Sequence, residues 1–177
     1  ADAAPGARIS TADVTSILHA TTVATNAILQ RCGAPTALIT TRGFRDVLLI
    51  GRQKRYDTYD LYLRKPEPLT QRRHIFEVDE RVDADGTVVQ VLDAGSVNRA
   101  IDAIQEAGLR SVAVALMHAY ANPAHETAVA VQLAQRAPQL AVSLSSDVSP
   151  KIREYERTNT TVANAYVKPL VDQYLGR

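Results

Sequence analysis

The apolar run Val112–Met117 constrains the fold more than any other feature of this sequence, because it carries no polar alternation and reads as a strand buried on both faces. Before it, Val97, Ala100, Ile101 and Ile104 recur at helical spacing, with Ser96 as the expected N-cap and Gly108 as the stop. After it, Asn122-Pro123 reads as N-cap and N1 of a helix reaching about Arg136 and ending before Pro138. Leu140–Leu144 then returns as a strand. Crossover helices between strands imply parallel pairing of the last two strands, and hence an α/β class.

The other segments extend this pattern. A loose alternation at Asp13–Leu18 predicts a strand running into a helix over Thr21–Arg31, stopped by Gly33. Pro35 leads into a strand at Thr36–Thr40, closed by Arg42-Gly43, and a short helix follows over Phe44–Ile50. Gly51–Arg73, with Pro66, Pro68 and three tyrosines, reads as a long loop. His74–Asp83 and Thr87–Leu92 alternate about the turn Asp85-Gly86, which predicts a β-hairpin. The last helix is expected to open at Ser149-Pro150 and run through Ile152 and Tyr155 to about Val167, where Pro169 breaks it or begins a second one. Residues 1–16 read as a linker or cut edge. Residues 17–177 read as one domain, with the loop at 51–73, an α/β subdomain at 93–146 and C-terminal helices at 150–175.

Twenty Lys+Arg against nineteen Asp+Glu leave a formal charge of +1, which supplies no broad attraction for nucleic acid or an anionic membrane, so any anion site must be local. The bases and rings between Arg52 and Lys65 are diluted by Asp57 and Asp60, and read as a substrate-side or subunit-contact loop. Cys32 is the single cysteine and no apolar run approaches the roughly 20 residues of a membrane span, so the expected location is cytoplasmic.

Two clusters could carry chemistry. His19, Thr21, Thr22, Thr25 and Asn26 gather small polar groups where a strand meets a helix, a place that suits a phosphate or carboxylate; the same residues also serve as an ordinary cap. Lys151–Arg157, followed by Thr158-Asn159-Thr160-Thr161, places residues of modest helix propensity inside a helix. That suggests either a buried polar face or a solvated charged one. His118, Tyr120 and His125 bracket the end of the buried strand, where ligands often sit in open α/β sheets, but spacing identifies no third metal ligand. Walker-type, dinucleotide-binding, zinc-binding and nucleophile-elbow motifs do not occur in the sequence.

The stretches His19–Ile28, Thr40–Val47, Ile152–Thr158 and Asn164–Val167, in this order and spacing, resemble the N-terminal region of the hydantoinase A/5-oxoprolinase family. The hairpin arms Asp79–Val82 and Val91-Leu92 and the segment His118–Pro123 resemble it too, so the likeness runs from about Ile17 to Leu175. It implies part of an actin-like ATPase fold, as in sugar kinases and Hsp70. The implied activity is ATP-dependent activation of a carbonyl by phosphorylation, for hydrolysis of a hydantoin, oxoproline or other lactam or for carboxylation of a ketone. The implied cofactors are ATP and Mg²⁺, and the implied partner is a hydantoinase B-like subunit or domain. Carried over, His19, Thr21, Thr22, Thr25 and Asn26 would lie near the nucleotide phosphates or substrate, with Arg52 and Arg157 as charge partners. The sequence departs from the family pattern in lacking its Asp-x-Gly-Gly-Thr-x-Thr-Asp phosphate loop and in having Ala20 where Gly is usual. The expectation is therefore part of a longer subunit, inactive alone. The alternative is a non-catalytic scaffold domain that binds a partner subunit.

Overall fold

A computed structural model of the protein describes residues 21–52, 59, 62 and 66–176. The elements are α1 (Val23–Leu29), β1 (Thr36–Thr41), α2 (Val47–Ile50), a 3₁₀ turn (Arg72–His74), β2 (Ile75–Val78), β3 (Arg81–Val82), β4 (Val88–Gln90), α3 (Ala94–Glu106), β5 (Ser111–Ala115), α4 (Ala124–Arg136), β6 (Ala141–Leu144), α5 (Ser145–Val148) and α6 (Glu154–Leu175). Four strands form a parallel sheet in the order β2-β1-β5-β6, with Leu38 opposite both Ile75 and Ala113, and Val112 opposite Val142. The class expected from the sequence, α/β with parallel strands, crossover helices and one hairpin, is the one observed.

Strand alternation divides the core between two layers. Ala37, Ile39, Val112 and Val114 face α3 and α4, meeting Val97, Ile101, Ile104, Val129 and Leu133. Leu38, Ala113 and Ala115 face the other way, toward Leu48, Val162 and Ala165. The small side chains of Ala113 and Ala115 let α6 lie close against the sheet centre. Both faces of β5 are therefore covered, which is why its sequence shows no polar phase.

Several expectations are corrected. His74–Asp83 is not one hairpin arm: Ile75–Val78 pairs parallel with β1, and only Arg81–Val82 pairs antiparallel with Val88–Gln90. The chain leaves the sheet at Asp79-Glu80, where the Asp79 N–H donates to the Ser96 hydroxyl at 3.0 Å and the Glu80 side chain turns into the protein. Ser96 is thus not the cap of α3. That role falls to Asp93, whose carboxylate accepts from Gly95 N and Ser96 N, while Gly108 at φ 64° follows the end of the helix as expected. The helix expected over Phe44–Ile50 is reduced to Val47–Ile50, because Gly43 at φ 90° and a turn from Phe44 N to Thr41 O precede it. Asn122 Oδ1 accepts from Ala124 N, so α4 begins one residue after Pro123 rather than at it.

Helix α6 opens at Glu154 rather than at Ser149-Pro150, after Arg153 at φ 82°, which leaves Ile152 outside the helix and exposed. Pro169 lies inside α6 without ending it. The strand expected at Asp13–Leu18 and residues 53–58, 60, 61 and 63–65 of the loop expected at 51–73 lie outside the described residues.

Candidate functional site

The sheet reverses its winding at β1. β2 lies on one side of it and the later strands β5 and β6 on the other, so β1 and β5 flank a topological switch point. In open α/β sheets ligands bind beyond the carboxyl ends of the strands at such a point. Three side chains meet the backbone there. The buried Thr41 hydroxyl, last in β1, donates to Glu80 Oε1 and accepts the Met117 N–H at 2.9 Å. Glu126 Oε1 accepts the Leu116 N–H at 2.9 Å, and Arg157 Nη2 donates to the Leu116 carbonyl at 2.7 Å. Consecutive backbone groups of β5's exit are thus held by β1, α4 and α6.

The carboxylates are saturated. Glu80 Oε2 lies 2.8 Å from His125 Nδ1, with the Glu80 side chain fully buried. Glu126, also buried, accepts in addition from the Ser145 hydroxyl at 2.6 Å and from Ser146 N at 2.8 Å, tying the start of α5 to the same point. Arg157 is 1% exposed, and its Nε and Nη1 find no hydrogen-bond acceptor among the described residues. Burial holds its pKa below the usual arginine value, opposed by the nearby charges of Glu154 and Glu126. Its guanidinium carbon sits 5.4 Å from the centre of the Tyr120 ring. Tyr120 Oη in turn lies 3.2 Å from Nδ1 of His118, a residue held at φ 53°.

The residues expected from sequence do not all converge here. His19 lies outside the described residues. Thr21, Thr22, Thr25 and Asn26 are exposed at the start of α1: Thr21 Oγ1 accepts from Val23 N, and Asn26 Nδ2 donates to Thr22 Oγ1. Among the described residues no hydrogen bond joins them to Arg52 or Arg157. Arg52 is paired with Glu156 in the first turn of α6, on the solvent side, whereas Arg157 in the same turn points into the sheet edge. The Glu156 carboxyl is held below its ordinary value chiefly by its own backbone N–H and also by Arg52, with desolvation opposing them. Of the Lys151–Thr161 segment, Arg157, Thr158 and Thr161 make the buried polar face, while Asn159 and Thr160 are exposed. His125, a polar residue in the first turn of α4, is buried against Glu80.

Thr41, Glu80, Glu126 and Ser145 were not among the expected site residues. Two of them leave a trace in the sequence. Glu80 shares its parity with Val78 and Val82, and Glu126 shares a helical face with Val129 and Leu133, so each carboxylate occupies an apolar phase. Clefts of about 570 and 340 Å³ lie elsewhere, between α1, residues 66–71 and α6. Arg31, which lines both, is already committed to the carbonyls of Glu67 and Pro68. The polar network at the switch point is the better candidate, because it concentrates buried charge at the carboxyl ends of strands. Among the described residues no group of three or more His, Cys, Asp or Glu could hold a metal ion, so they do not by themselves fit Mg²⁺.

Known proteins share this fold. A solved structure of an ATP-dependent caprolactamase from Pseudomonas jessenii superposes with a TM-score of 0.84 at 33% identity, covering 89% of this chain and 23% of that one. A nucleotide-free acetone carboxylase, from a study of ATP-dependent acetone carboxylation, gives 0.76 at 28% identity over 85% of this chain and 23% of that one. The 5-oxoprolinase of Saccharomyces cerevisiae is 34% identical over 96% of this chain and 15% of its own length. The chain thus spans a quarter or less of the relatives it matches here. No helix among the described residues is long and apolar enough to cross a membrane. The family model for the hydantoinase/oxoprolinase N-terminal region matches residues 1–136, and the chain belongs to that family.

Proposed function

We propose that this chain forms part of an ATP-dependent enzyme that activates a carbonyl compound by phosphorylating its oxygen, and that the compound is a cyclic amide. What supports the reading is the closer agreement with the caprolactamase, TM-score 0.84 against 0.76 for the acetone carboxylase. Ketone carboxylation is the second reading, carried by the latter similarity. ATP would transfer a phosphoryl group to the amide oxygen; water would then add at that carbon and the C–N bond would break with the amine leaving. The resulting acyl phosphate would be hydrolysed by a second water to carboxylate and phosphate, so that one ring opens per ADP.

The chain's own contribution is positional. Thr41, Glu126 and Arg157 hold the backbone at the carboxyl end of β5, so the groups that follow meet a ligand in one fixed geometry. Since no described cluster fits Mg²⁺, no step is assigned to it. The exposed hydroxyls of Thr21, Thr22 and Thr25, with Asn26, His19 and Arg52, remain the proposed nucleotide-side residues. A hydantoinase B-like subunit or domain is the proposed partner. The proposed location is the cytoplasm, where ATP is available to such a reaction. The test is ADP formation by the native protein with its partner, on 5-oxoproline, hydantoin, caprolactam, and acetone plus bicarbonate. The reading expects release stimulated by a cyclic amide, and a protein silent on all four would overturn it.

A further inference from the structure

We infer that His118 is a ligand-contacting residue of this enzyme, donating a hydrogen bond from Nε2 to a carbonyl or phosphoryl oxygen, and that Tyr120 and Arg157 position it. The inference takes its ligand from the carbonyl-activation reading, while its geometry stands without it. Three non-glycine residues among those described have positive φ, and one of them, His118, lies just beyond the end of the switch-point strand β5, after Leu116 and Met117. A left-handed backbone is costly for a side chain with a Cβ, and such strain persists where the surroundings over-determine it, as happens at functional sites. The surroundings here do so. Leu116 is held through both its N–H and its carbonyl by buried charged side chains, Met117 N–H is held by Thr41, and the His118 carbonyl accepts from Ala121 N at 2.8 Å. Three elements and a local turn thus fix the backbone immediately around one half-buried imidazole.

The ring is fixed as well. Its Nδ1 is occupied by Tyr120 Oη at 3.2 Å, and the two rings stand edge to face at 74°. The guanidinium over the Tyr120 ring draws electron density from the phenol and favours its O–H as the donor, so Nδ1 accepts and the ring N–H falls on Nε2. That leaves an N–H donor at the carboxyl edge of the sheet, beside the strand pair where a ligand is expected. A buried guanidinium with two unpartnered nitrogens is an expensive way to hold a turn, and a relay to His118 accounts for it.

The test separates strain from function. In the native enzyme, His118→Gly removes the imidazole and relieves the backbone, so the melting temperature is expected to stay level or rise by up to about 3 °C. The same variant should lose roughly 100-fold or more in kcat/KM for amide-driven ADP formation, as when an oxyanion donor is removed. His118→Asn, which also tolerates left-handed backbone, should fold equally well and recover part of the loss. A rise in KM for the amide alone assigns the contacted oxygen to the carbonyl compound, and a rise for ATP alone assigns it to the phosphoryl group. Full activity in His118→Gly, or a fall in stability that accounts for its inactivity, would overturn the inference. Should the parent enzyme act on no carbonyl compound, the proposed reaction fails, and the ring itself decides the relay. Nitrogen NMR of labelled histidine must show the Nε2–H tautomer, with the balance shifted in Tyr120→Phe, and an Nδ1–H tautomer contradicts it.

Discussion

Ser111 donates its hydroxyl to the carbonyl of Ala165 at 2.6 Å, across 54 residues of sequence, and that carbonyl is the one which Pro169 leaves without a helical donor. A proline inside a helix removes the i→i−4 bond and usually kinks or ends the helix. Here the first residue of β5 supplies the missing donor, so α6 continues to Leu175. Ser111→Ala should cost about 1–3 kcal/mol by orphaning a buried carbonyl. Adding Pro169→Ala should recover much of it, because the new N–H reaches Ala165. Denaturant titration of the two single variants and the double variant measures the coupling, and strict additivity would refute the pairing.

Glu126 is the hub that fastens β5, α5 and α4 together, through Leu116 N, Ser145 Oγ and Ser146 N. Glu126→Ala should destabilise by about 3 kcal/mol or more, since buried donors lose their acceptor. Amide exchange at Leu116 and Ser146 should accelerate beyond what global unfolding explains. Glu126→Gln keeps one acceptor oxygen and should cost less.

Arg157 should behave differently. Its guanidinium is desolvated with few partners, so Arg157→Met should change stability by only about 1 kcal/mol in either direction while activity falls. A large loss of stability with unchanged specific activity would mark Arg157 as purely structural.

Gly33 lies beneath the Tyr166 ring, where a Cβ would overlap the ring carbons. Gly33→Ala should separate α1 from α6, cost about 1–3 kcal/mol by overpacking, and expose the Ala34 N–H that now donates to Tyr166 O. Thermal melting and exchange at Ala34 check both effects.

Asp46 is held below the ordinary aspartate pKa of 3.8, chiefly by hydrogen bonds from Arg72 at 2.7 and 3.0 Å. Its folded pKa is depressed, so its contribution to stability is complete above the unfolded value and is lost as pH falls through the folded one. Asp46→Asn should remove that acid-side dependence, and carbon NMR of the carboxyl should find its midpoint below 3.8 in the folded protein.

What the sequence revealed follows from where the determining contacts lie. Val112–Met117 and the face Val97, Ala100, Ile101, Ile104 were legible because burial alone sets their pattern. The break between Val78 and Arg81 was not. One alternation runs across it, and the partners that split it, Ser96, Thr41 and His125, are distant in the chain. Pro169 looked like a helix end for the same reason, since its compensation comes from Ser111. At the site, Arg157 was recognised through its motif, with a buried polar face as one of two readings, whereas Glu80 and Glu126 were not singled out although each shares its phase with neighbouring valines. His118 and Tyr120 were picked out by their place after a buried strand, yet left-handed backbone and a ring-to-ring hydrogen bond have no signature in a single sequence.

The most direct measurement of the central claim is ADP formation by the native protein with the proposed partner, at saturating ATP and Mg²⁺, with and without a cyclic amide. The account predicts that 5-oxoproline, hydantoin or caprolactam stimulates ADP release, with one ring-opened product formed per ADP. ATP turnover indifferent to every carbonyl compound, or ring opening that proceeds without ATP, would contradict it.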